Sequence, residues 1–151
     1  MNSEQSAVAP TAIGIEAFRG VPTSIISDNL SRMAGLVGLR PFHRRGQLLG
    51  TALTVRTRSG DNLAIHKALE IVRPGDVVVV DGGADETRAL VGEIMKSIAE
   101  KRGAAGFVID GAIRDAAAFA ASDFPCFARV AFNRASLGIL VVNGWLRRMD
   151  L

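Results

Sequence analysis

Apolar and polar residues follow two spacings along this chain, one typical of strands and the other of helices. Residues alternate between apolar and polar over Thr51–Thr57, which predicts a half-buried strand. Val77–Val80 is a continuous β-branched run, and such runs are typical of strands covered on both faces. The same reasoning predicts two later strands, at Gly106–Asp110 and Phe124–Val130.

Segments with helical spacing separate these strands. Apolar residues recur every three or four positions from Thr23 to Leu36, from Gly60 to Pro74 and from about Arg88 to Arg102. An alanine-rich helix is expected after Asp115, and Leu39–Gly50 is expected to be a basic loop. Strands that alternate with helices predict an α/β fold with a mainly parallel sheet.

The same spacing predicts which helical residues are buried and where one helix ends. Gly103 follows the third segment in the position where glycine usually ends a helix. Two apolar stripes are expected to face the core, one made by Leu63, Ile65, Ala68, Leu69 and Val72, and the other by Leu90, Val91, Ile94, Met95 and Ile98.

Composition narrows the class of protein. The chain has 151 residues, of which 48% are hydrophobic, so one domain with a real core is expected and overall disorder is excluded. No uncharged apolar run approaches the ~20 residues that cross a bilayer, and the start lacks a secretory pattern, so we expect a cytoplasmic protein without membrane contact. Cys126, His43 and His66 are expected to be structural or exposed.

The net charge of +3 lies in the last 26 residues. Residues 1–125 hold 14 basic and 14 acidic residues, whereas residues 126–151 hold four arginines and one aspartate. A nucleic-acid-binding protein usually carries a basic face through its fold, so we expect no nucleic-acid partner.

Three strand-to-helix turns are candidate sites, because ligands gather where parallel strands end. Asp81-Gly82-Gly83 allows close approach of a ligand, although glycines in a tight turn are the commoner explanation. It matches neither a nucleotide fingerprint nor a methyltransferase cofactor loop. Gly92–Met95 would bind an anion if a helix began there. The alternative is a surface helix in which Glu93 pairs with Lys96.

The third turn runs from Asp110 to Asp115. Asp115 is an oxygen ligand suited to Mg²⁺, and the planar fork of Arg114 suits a carboxylate. The alternative is that Asp115 caps the alanine-rich helix and Arg114 is an ordinary surface cation.

Taken together, these stretches resemble the RraA-like family of ribonuclease regulators and 4-hydroxy-4-methyl-2-oxoglutarate aldolases. The most diagnostic feature is an acidic residue, twenty intervening residues and then Arg-Asp, here Glu93 and Arg114-Asp115. Aldolase members typically carry Asp at the first of these positions. The other matching stretches are Gly50–Val55, Gly60-Asp61-Asn62, Pro74–Gly83 and Gly106–Asp115.

The resemblance implies a three-layer sandwich of the swivelling β/α/β type, assembled as a homotrimer or hexamer. It implies a metal-dependent pyruvate aldolase acting on 2-keto acids, with oxaloacetate decarboxylation as a side activity. Asp115 would ligate Mg²⁺ or Mn²⁺, Glu93 would orient the waters around the cation, and Arg114 would hold the pyruvyl group. The amides of Gly92, Glu93, Ile94 and Met95 would receive the substrate carboxylate.

The resemblance divides the chain into three parts. Residues 1–10 are expected to be disordered, residues 11–132 form an incomplete RraA-like domain, and residues 133–151 match nothing in the family. We expect this last stretch to be out of frame and the domain to be cut short. Two alternatives to the aldolase therefore stay open, a non-catalytic regulator of a ribonuclease and an inactive remnant.

Overall fold

The computed structural model describes residues 12–30, 32 and 35–132. Five strands in these ranges form one sheet, in the order β1-β5-β4-β3-β2. Strands β2 to β5 are parallel to their neighbours, and β1 is antiparallel to β5. The predicted α/β class with a mainly parallel sheet is confirmed. The strands are β1 (Arg40–Pro41), β2 (Thr51–Arg56), β3 (Asp76–Val91), β4 (Gly106–Ile113) and β5 (Cys126–Ala131).

Three of the helices connect successive parallel strands: α3 follows β2, α4 follows β3 and α5 follows β4. All three therefore begin where their strands end, at one edge of the sheet, called here the carboxyl edge. The strands begin at the opposite, amino edge. The helices are α1 (Ala12–Glu16), α2 (Thr23–Asn29), α3 (Leu63–Ile71), α4 (Glu93–Lys101) and α5 (Ala116–Ala120).

The core lies between the central strands and helices α3, α4 and α5. Val78 and Val80 of β3 and Phe107 and Ile109 of β4 are almost completely buried, as the predicted doubly covered strands require. The buried helical residues that pack with them include Ile65, Leu69, Met95, Ala99 and Phe119.

The predicted helix over Arg88–Arg102 is wrong at its beginning. Residues 88–91 belong to β3, and α4 begins only at Glu93. The error arises because Leu90 and Val91 continue the helical spacing of Met95 and Ile98, although they are buried from a strand. Ile94, which was expected to face the core, is exposed.

The second half of β3 departs from regular pairing. Asp81 pairs with Asp110 and Val91 with Ile113, so ten steps along β3 accompany three steps along β4. The surplus residues leave the ladder between Asp81 and Val91, and residues 82–90 are called here the β3 excursion. Bulged backbone of this kind is typical near the functional sites of sheets.

Three more predictions need correction. Helix α2 ends at Asn29 rather than Leu36, and Leu36 and Val37, beyond its end, are strongly exposed. The expected basic loop Leu39–Gly50 contains β1, a two-residue edge strand that is too short to show any periodicity. Leu63, also expected in a stripe, is exposed at the start of α3.

The predicted end of α4 is confirmed in detail. Gly103 has φ of 80°, a left-handed conformation that glycine adopts without strain. Its amide donates to the carbonyl of Glu100, and the amide of Ala104 donates to that of Ala99. This pair of bonds is the Schellman motif, which fixes where the chain turns into β4.

Two predictions concern residues outside the described ranges, namely the disordered start at 1–10 and the atypical stretch 133–151. Among the helices in the described ranges, none is long and apolar enough to cross a membrane.

Candidate active site

The first turn of α4 is joined to the loop that follows β4. The backbone amide of Glu93 donates a hydrogen bond to Asp115 Oδ2 over 3.1 Å. The backbone amide of Arg114 donates to the carbonyl of Val91 over 2.9 Å. The second and third candidate turns are therefore parts of one site at the carboxyl edge, with Asp115 against the first amide of α4.

Gly92 makes this contact possible. A Cβ atom at this position would lie 2.7 Å from Arg114 Nε and 2.7 Å from Asp115 Oδ2. Its φ of −148° is open to any residue, so space rather than backbone conformation explains the glycine. The absence of a side chain at Gly92 leaves the space that the Arg114 and Asp115 side chains occupy.

Asp115 does not cap the alanine-rich helix, which was the alternative role for it. It occupies the N-cap position of α5 with φ of 55°, but its side chain makes no hydrogen bond there. Its Oδ2 faces the Glu93 amide and lies 3.6 Å from Arg114 Nε. Asp115 Oδ1 has no hydrogen-bond donor among the described residues, and the side chain is about half exposed.

Glu93 does not pair with Lys96, which was the alternative role for it. Lys96 is buried and pairs with Glu100, at 3.2 Å, rather than with Glu93. The Glu93 carboxylate is exposed, and within the described ranges it has no hydrogen-bond or ionic partner. It stands in the first turn of α4, where the helix dipole favours a negative charge.

Two amides in this turn are open to a ligand. Those of Ile94 and Met95 donate to no acceptor in the part of the chain that the structure describes, whereas the Glu93 amide is held by Asp115. Uncommitted amides at a helix start, together with the dipole, favour an anionic group. Of the turn that the resemblance assigns to a substrate carboxylate, at least these two amides are available.

The donor set suits a hard divalent cation with few protein ligands. The described residues contain no cluster of three or more His, Cys, Asp or Glu side chains that could enclose a metal ion. Asp115 Oδ1 is a single open carboxylate oxygen. The Glu93 carboxylate is exposed on the first turn of α4, which Asp115 contacts. Mg²⁺ is commonly held by one or two carboxylates and keeps several waters, so these residues fit Mg²⁺ or the similar Mn²⁺.

The first candidate turn has a structural role. The Asp81 carboxylate accepts from Arg56 Nε at 2.9 Å and from the Gly83 amide, and these bonds lower its pKa. A Cβ on Gly82 would collide with Leu90 Cδ1 at 2.4 Å and with the Asp110 carbonyl oxygen at 2.7 Å. Gly82 therefore serves close packing of the β3 excursion, and Gly83, with a left-handed φ of 66°, serves its tight turn, which is the commoner explanation for such glycines.

Two further aspartates hold the β3 excursion in place. Asp110 accepts from Arg129 and from the amide of Ala84. Asp85 accepts from the hydroxyls of Ser59 and Thr87 and from the Thr87 amide, which lower the pKa of its carboxyl to about 2. The excursion leads directly into Gly92, so these bonds fix the approach to the site.

A hollow lies at the opposite, amino edge. It has a volume of about 750 Å³ and is lined by the starts of the strands and by α1. Its charged groups are paired with one another, Arg19 with Glu16 at 2.6 Å and Arg45 with Asp123 at 3.6 Å. Size alone does not make it the better candidate site.

The remaining reactive side chains are placed as expected. Cys126 is fully buried, which raises the pKa of its thiol to about 12. His43 is half-buried, and its ring contacts Phe127 and lies 3.1 Å from the Cys126 amide. His66 is exposed on α3.

Asn62 belongs to the matching stretch Gly60-Asp61-Asn62, for which the resemblance implies no role. It stands at the start of α3, and its Nδ2 lies 3.9 Å from Met95 Sδ, in the first turn of α4. Its position directly before a helix predicts only an N-cap, so a pattern-based argument could not have found this contact.

Comparisons with known proteins agree with this arrangement. A Halalkalibacterium halodurans protein with the provisional name 4-hydroxy-4-methyl-2-oxoglutarate aldolase is 46% identical over 116 residues, covering 76% of this chain and 55% of that protein. The chain thus spans about half the length of the curated relatives it matches.

Two solved structures have the same fold. The RNA-processing inhibitor RraA of Thermus thermophilus is 31% identical, with a TM-score of 0.66 over 73% of this chain and 67% of that one. A Geobacillus kaustophilus structure described as S-adenosylmethionine:2-dimethylmenaquinone methyltransferase is also 31% identical, with a TM-score of 0.66 over 74% of this chain and 70% of that one. The expected RraA-type fold is confirmed.

The family match is broad and includes every residue of the site. The sequence model of the RraA-like family, described as Aldolase/RraA, matches residues 23–145. It extends past Phe132, where the resemblance was expected to end. The chain belongs to the RraA-like family.

Proposed function

We propose that this chain carries a pyruvate-aldolase site that depends on Mg²⁺ or Mn²⁺. Its substrates are 4-hydroxy-2-oxo acids of the 4-hydroxy-4-methyl-2-oxoglutarate type, with oxaloacetate decarboxylation as a side activity. The observation that carries the proposal is the contact of Arg114-Asp115 with the first turn of α4 across Gly92. That contact brings together the Arg114 guanidinium, the open Oδ1 of Asp115 and the two backbone amides without an acceptor.

The chain's own groups offer two kinds of contact to a 2-oxo acid. The amides of Ile94 and Met95 receive the substrate carboxylate at the positive end of α4. The Arg114 guanidinium lies beside Asp115, where it can stabilise negative charge that develops on the keto group. Binding and charge stabilisation thus come from different elements, α4 and the loop after β4.

Asp115 Oδ1 would hold the divalent cation, and the exposed Glu93 carboxylate would orient water around it. When bound, the cation supplies Lewis-acid polarisation of the substrate's keto oxygen. Two other features orient the Asp115 carboxylate. Its Oδ2 accepts a hydrogen bond from the Glu93 amide, and the absence of a side chain at Gly92 leaves space for it.

The reaction breaks the bond between C3 and C4 of the substrate. Its electron pair remains on the three-carbon fragment. The C4 hydroxyl gives its proton to water and becomes the carbonyl of the second product. A proton added at C3 then gives pyruvate. With oxaloacetate, carbon dioxide leaves instead. A Schiff-base lysine is not needed, and Lys96, the buried lysine of α4, is paired with Glu100.

The experiment follows pyruvate release from 4-hydroxy-4-methyl-2-oxoglutarate and from oxaloacetate, with Mg²⁺, with Mn²⁺ and with a chelator. We expect activity on both substrates that the chelator abolishes and either metal restores. Arg114→Ala should lower kcat/KM by roughly 100-fold, in the range for loss of a group that stabilises developing charge. The exposed Arg44→Ala is the matched control, and metal-independent release would contradict the proposal.

A second candidate is a protein-binding regulator of a ribonuclease. It is favoured by the 31% identity with the RNA-processing inhibitor of Thermus thermophilus. Contact with an endoribonuclease has no need of a metal ligand, so inhibition of RNA cleavage should be unchanged in Asp115→Ala. Inhibition without pyruvate release would favour this function over the aldolase.

Methyl transfer, which the name of the Geobacillus kaustophilus structure suggests, has no counterpart among the site residues. Gly82 and Gly83 are the glycines that follow the buried half of β3, and they serve packing and turning of the excursion.

We also propose a homotrimer or hexamer, as the resemblance implies. Light scattering coupled to size exclusion tests this directly, and a monomer at all concentrations would contradict it.

A further inference from the structure

Asn62 stands where a capping residue is expected, but its side chain caps nothing. It precedes α3 and makes no side-chain hydrogen bond to that helix. The amide of Leu63, in the first turn, is instead accepted by Asp61 Oδ1 at 2.9 Å. The Asn62 side chain is therefore left for another use.

That side chain points to the first turn of α4. Asn62 Nδ2 lies 3.9 Å from Met95 Sδ, and a thioether is a weak acceptor that exchanges readily for a better partner. Asn62 Oδ1 has no hydrogen-bond donor in the described ranges. The amide nitrogen of Asn62 is thus a donor with only a weak partner, beside the turn whose Ile94 and Met95 amides have no acceptor in the described ranges.

Asn62 reaches this turn from the opposite side to Arg114 and Asp115. Helix α3 connects β2 to β3, whereas the Arg-Asp pair follows β4, and β3 lies between β2 and β4 in the sheet. A ligand at the start of α4 is therefore flanked by the Arg-Asp pair on one side and by Asn62 on the other.

We propose, on the basis of the proposed function, that Asn62 determines specificity by donating a hydrogen bond from Nδ2 to the C4 oxygen of a 4-hydroxy-2-oxo acid, in exchange for its weak contact with Met95 Sδ. This oxygen becomes more negative as the hydroxyl loses its proton, so the donated bond strengthens during aldol cleavage. The C4 carboxylate of oxaloacetate instead loses negative charge as carbon dioxide forms, so the same bond weakens during decarboxylation. Asn62 therefore favours aldol cleavage over decarboxylation.

The test compares kcat/KM for 4-hydroxy-4-methyl-2-oxoglutarate with that for oxaloacetate, both with Mg²⁺. In Asn62→Ala the ratio of the two values should fall roughly tenfold, the effect of one lost hydrogen bond. Asn62→Asp is close in shape but removes the donor and adds a negative charge, so the ratio should fall at least as far as in Asn62→Ala. Asp61→Ala loosens the start of α3 without removing a substrate contact and should leave the ratio unchanged.

An unchanged ratio in Asn62→Ala, with both activities lowered equally or not at all, overturns the proposal and makes Asn62 a packing residue of α4. A wild-type chain that releases no pyruvate from either substrate overturns the proposed function, and the role of Asn62 with it. The two failures are therefore distinguishable.

Discussion

The two edges of the sheet differ in whether their polar side chains are paired with one another. At the amino edge, a hollow of about 750 Å³ is lined by charged side chains that neutralise one another, such as Arg45 and Asp123. At the carboxyl edge, Glu93 and Asp115 Oδ1 have no partner within the described ranges, and Arg114 lies beside them. Polar groups without partners are the ones free to bind a ligand. The volume of a hollow does not show whether it contains such groups.

The same contrast holds between two aspartates five residues apart, Asp110 in β4 and Asp115 in the loop that follows it. Asp110 ends the regular part of β4 and is committed to Arg129 and the Ala84 amide. Asp115, five residues later, contacts the Glu93 amide and Arg114 through one oxygen only. We interpret Asp110 as a structural residue and Asp115 as a functional one.

The largest expected effect is the loss of activity in Asp115→Ala. It removes the open carboxylate oxygen and the partner of the Glu93 amide, so kcat/KM for pyruvate release should fall at least about 100-fold. Asp123→Ala, at the amino edge, is the matched control and should leave kcat/KM unchanged. A loss of activity in the control alone would reverse the comparison of the two edges.

Gly92→Ala should have the next largest effect. The new Cβ has no space beside Arg114 Nε and Asp115 Oδ2, so kcat/KM should fall roughly tenfold or more and the free energy of unfolding by about 1–3 kcal/mol. Gly35→Ala, where a Cβ meets nothing within 4 Å, should change neither quantity. Steady-state kinetics and urea unfolding measure both, and full activity in Gly92→Ala would contradict the packing argument.

Asp110→Ala tests the contrast between the two aspartates. It leaves Arg129 without its partner and frees the Ala84 amide, so the free energy of unfolding should fall by about 1–2 kcal/mol. Affinity for Mn²⁺, measured by calorimetry, should change less than about threefold because Asp110 is not a ligand. If Asp110→Ala abolished Mn²⁺ binding at unchanged stability, the assignment of roles would be wrong.

The smallest effect is expected at Asp85, whose carboxyl pKa is lowered to about 2 from an ordinary 3.8. Because the folded-state pKa is the lower one, this stabilisation is complete above about pH 4 and is lost as the pH falls through 2. Asp85→Asn should lower the free energy of unfolding at pH 7 by about 0.5 kcal/mol, since water screens the exposed group. The difference from wild type should vanish near pH 2, and a constant difference would contradict it.

Much of the fold could be predicted because its strands are apolar runs bounded by glycines. The strand β2, the first half of β3, and the end of α4 at Gly103 all follow from local patterns. The β3 excursion could not be predicted, since Leu90 and Val91 happen to continue the helical spacing of α4. Its extra residues are held by long-range bonds from Ser59 and Asp110 that no local pattern contains.

The site was predictable only in part. Residue patterns favoured a surface role for Glu93 and left Asp115 open, and it was the family spacing that joined them. The structure adds the reason for Gly92, which no pattern shows because the clash it avoids comes from residues 22 and 23 positions away. The position of Asn62 beside Met95 likewise depends on how α3 packs against α4.

We expect the open carboxylate oxygen of Asp115 at the carboxyl edge to bind the divalent cation, and the hollow at the amino edge not to bind it. Calorimetric titration with Mn²⁺ tests it directly, on wild type, Asp115→Asn and Asp123→Asn. Asp115→Asn keeps an acceptor for the Glu93 amide, so the fold of the loop is preserved while the charge is removed. We expect one bound Mn²⁺ per chain in wild type and in Asp123→Asn, and none in Asp115→Asn. Undiminished Mn²⁺ binding by Asp115→Asn would contradict it.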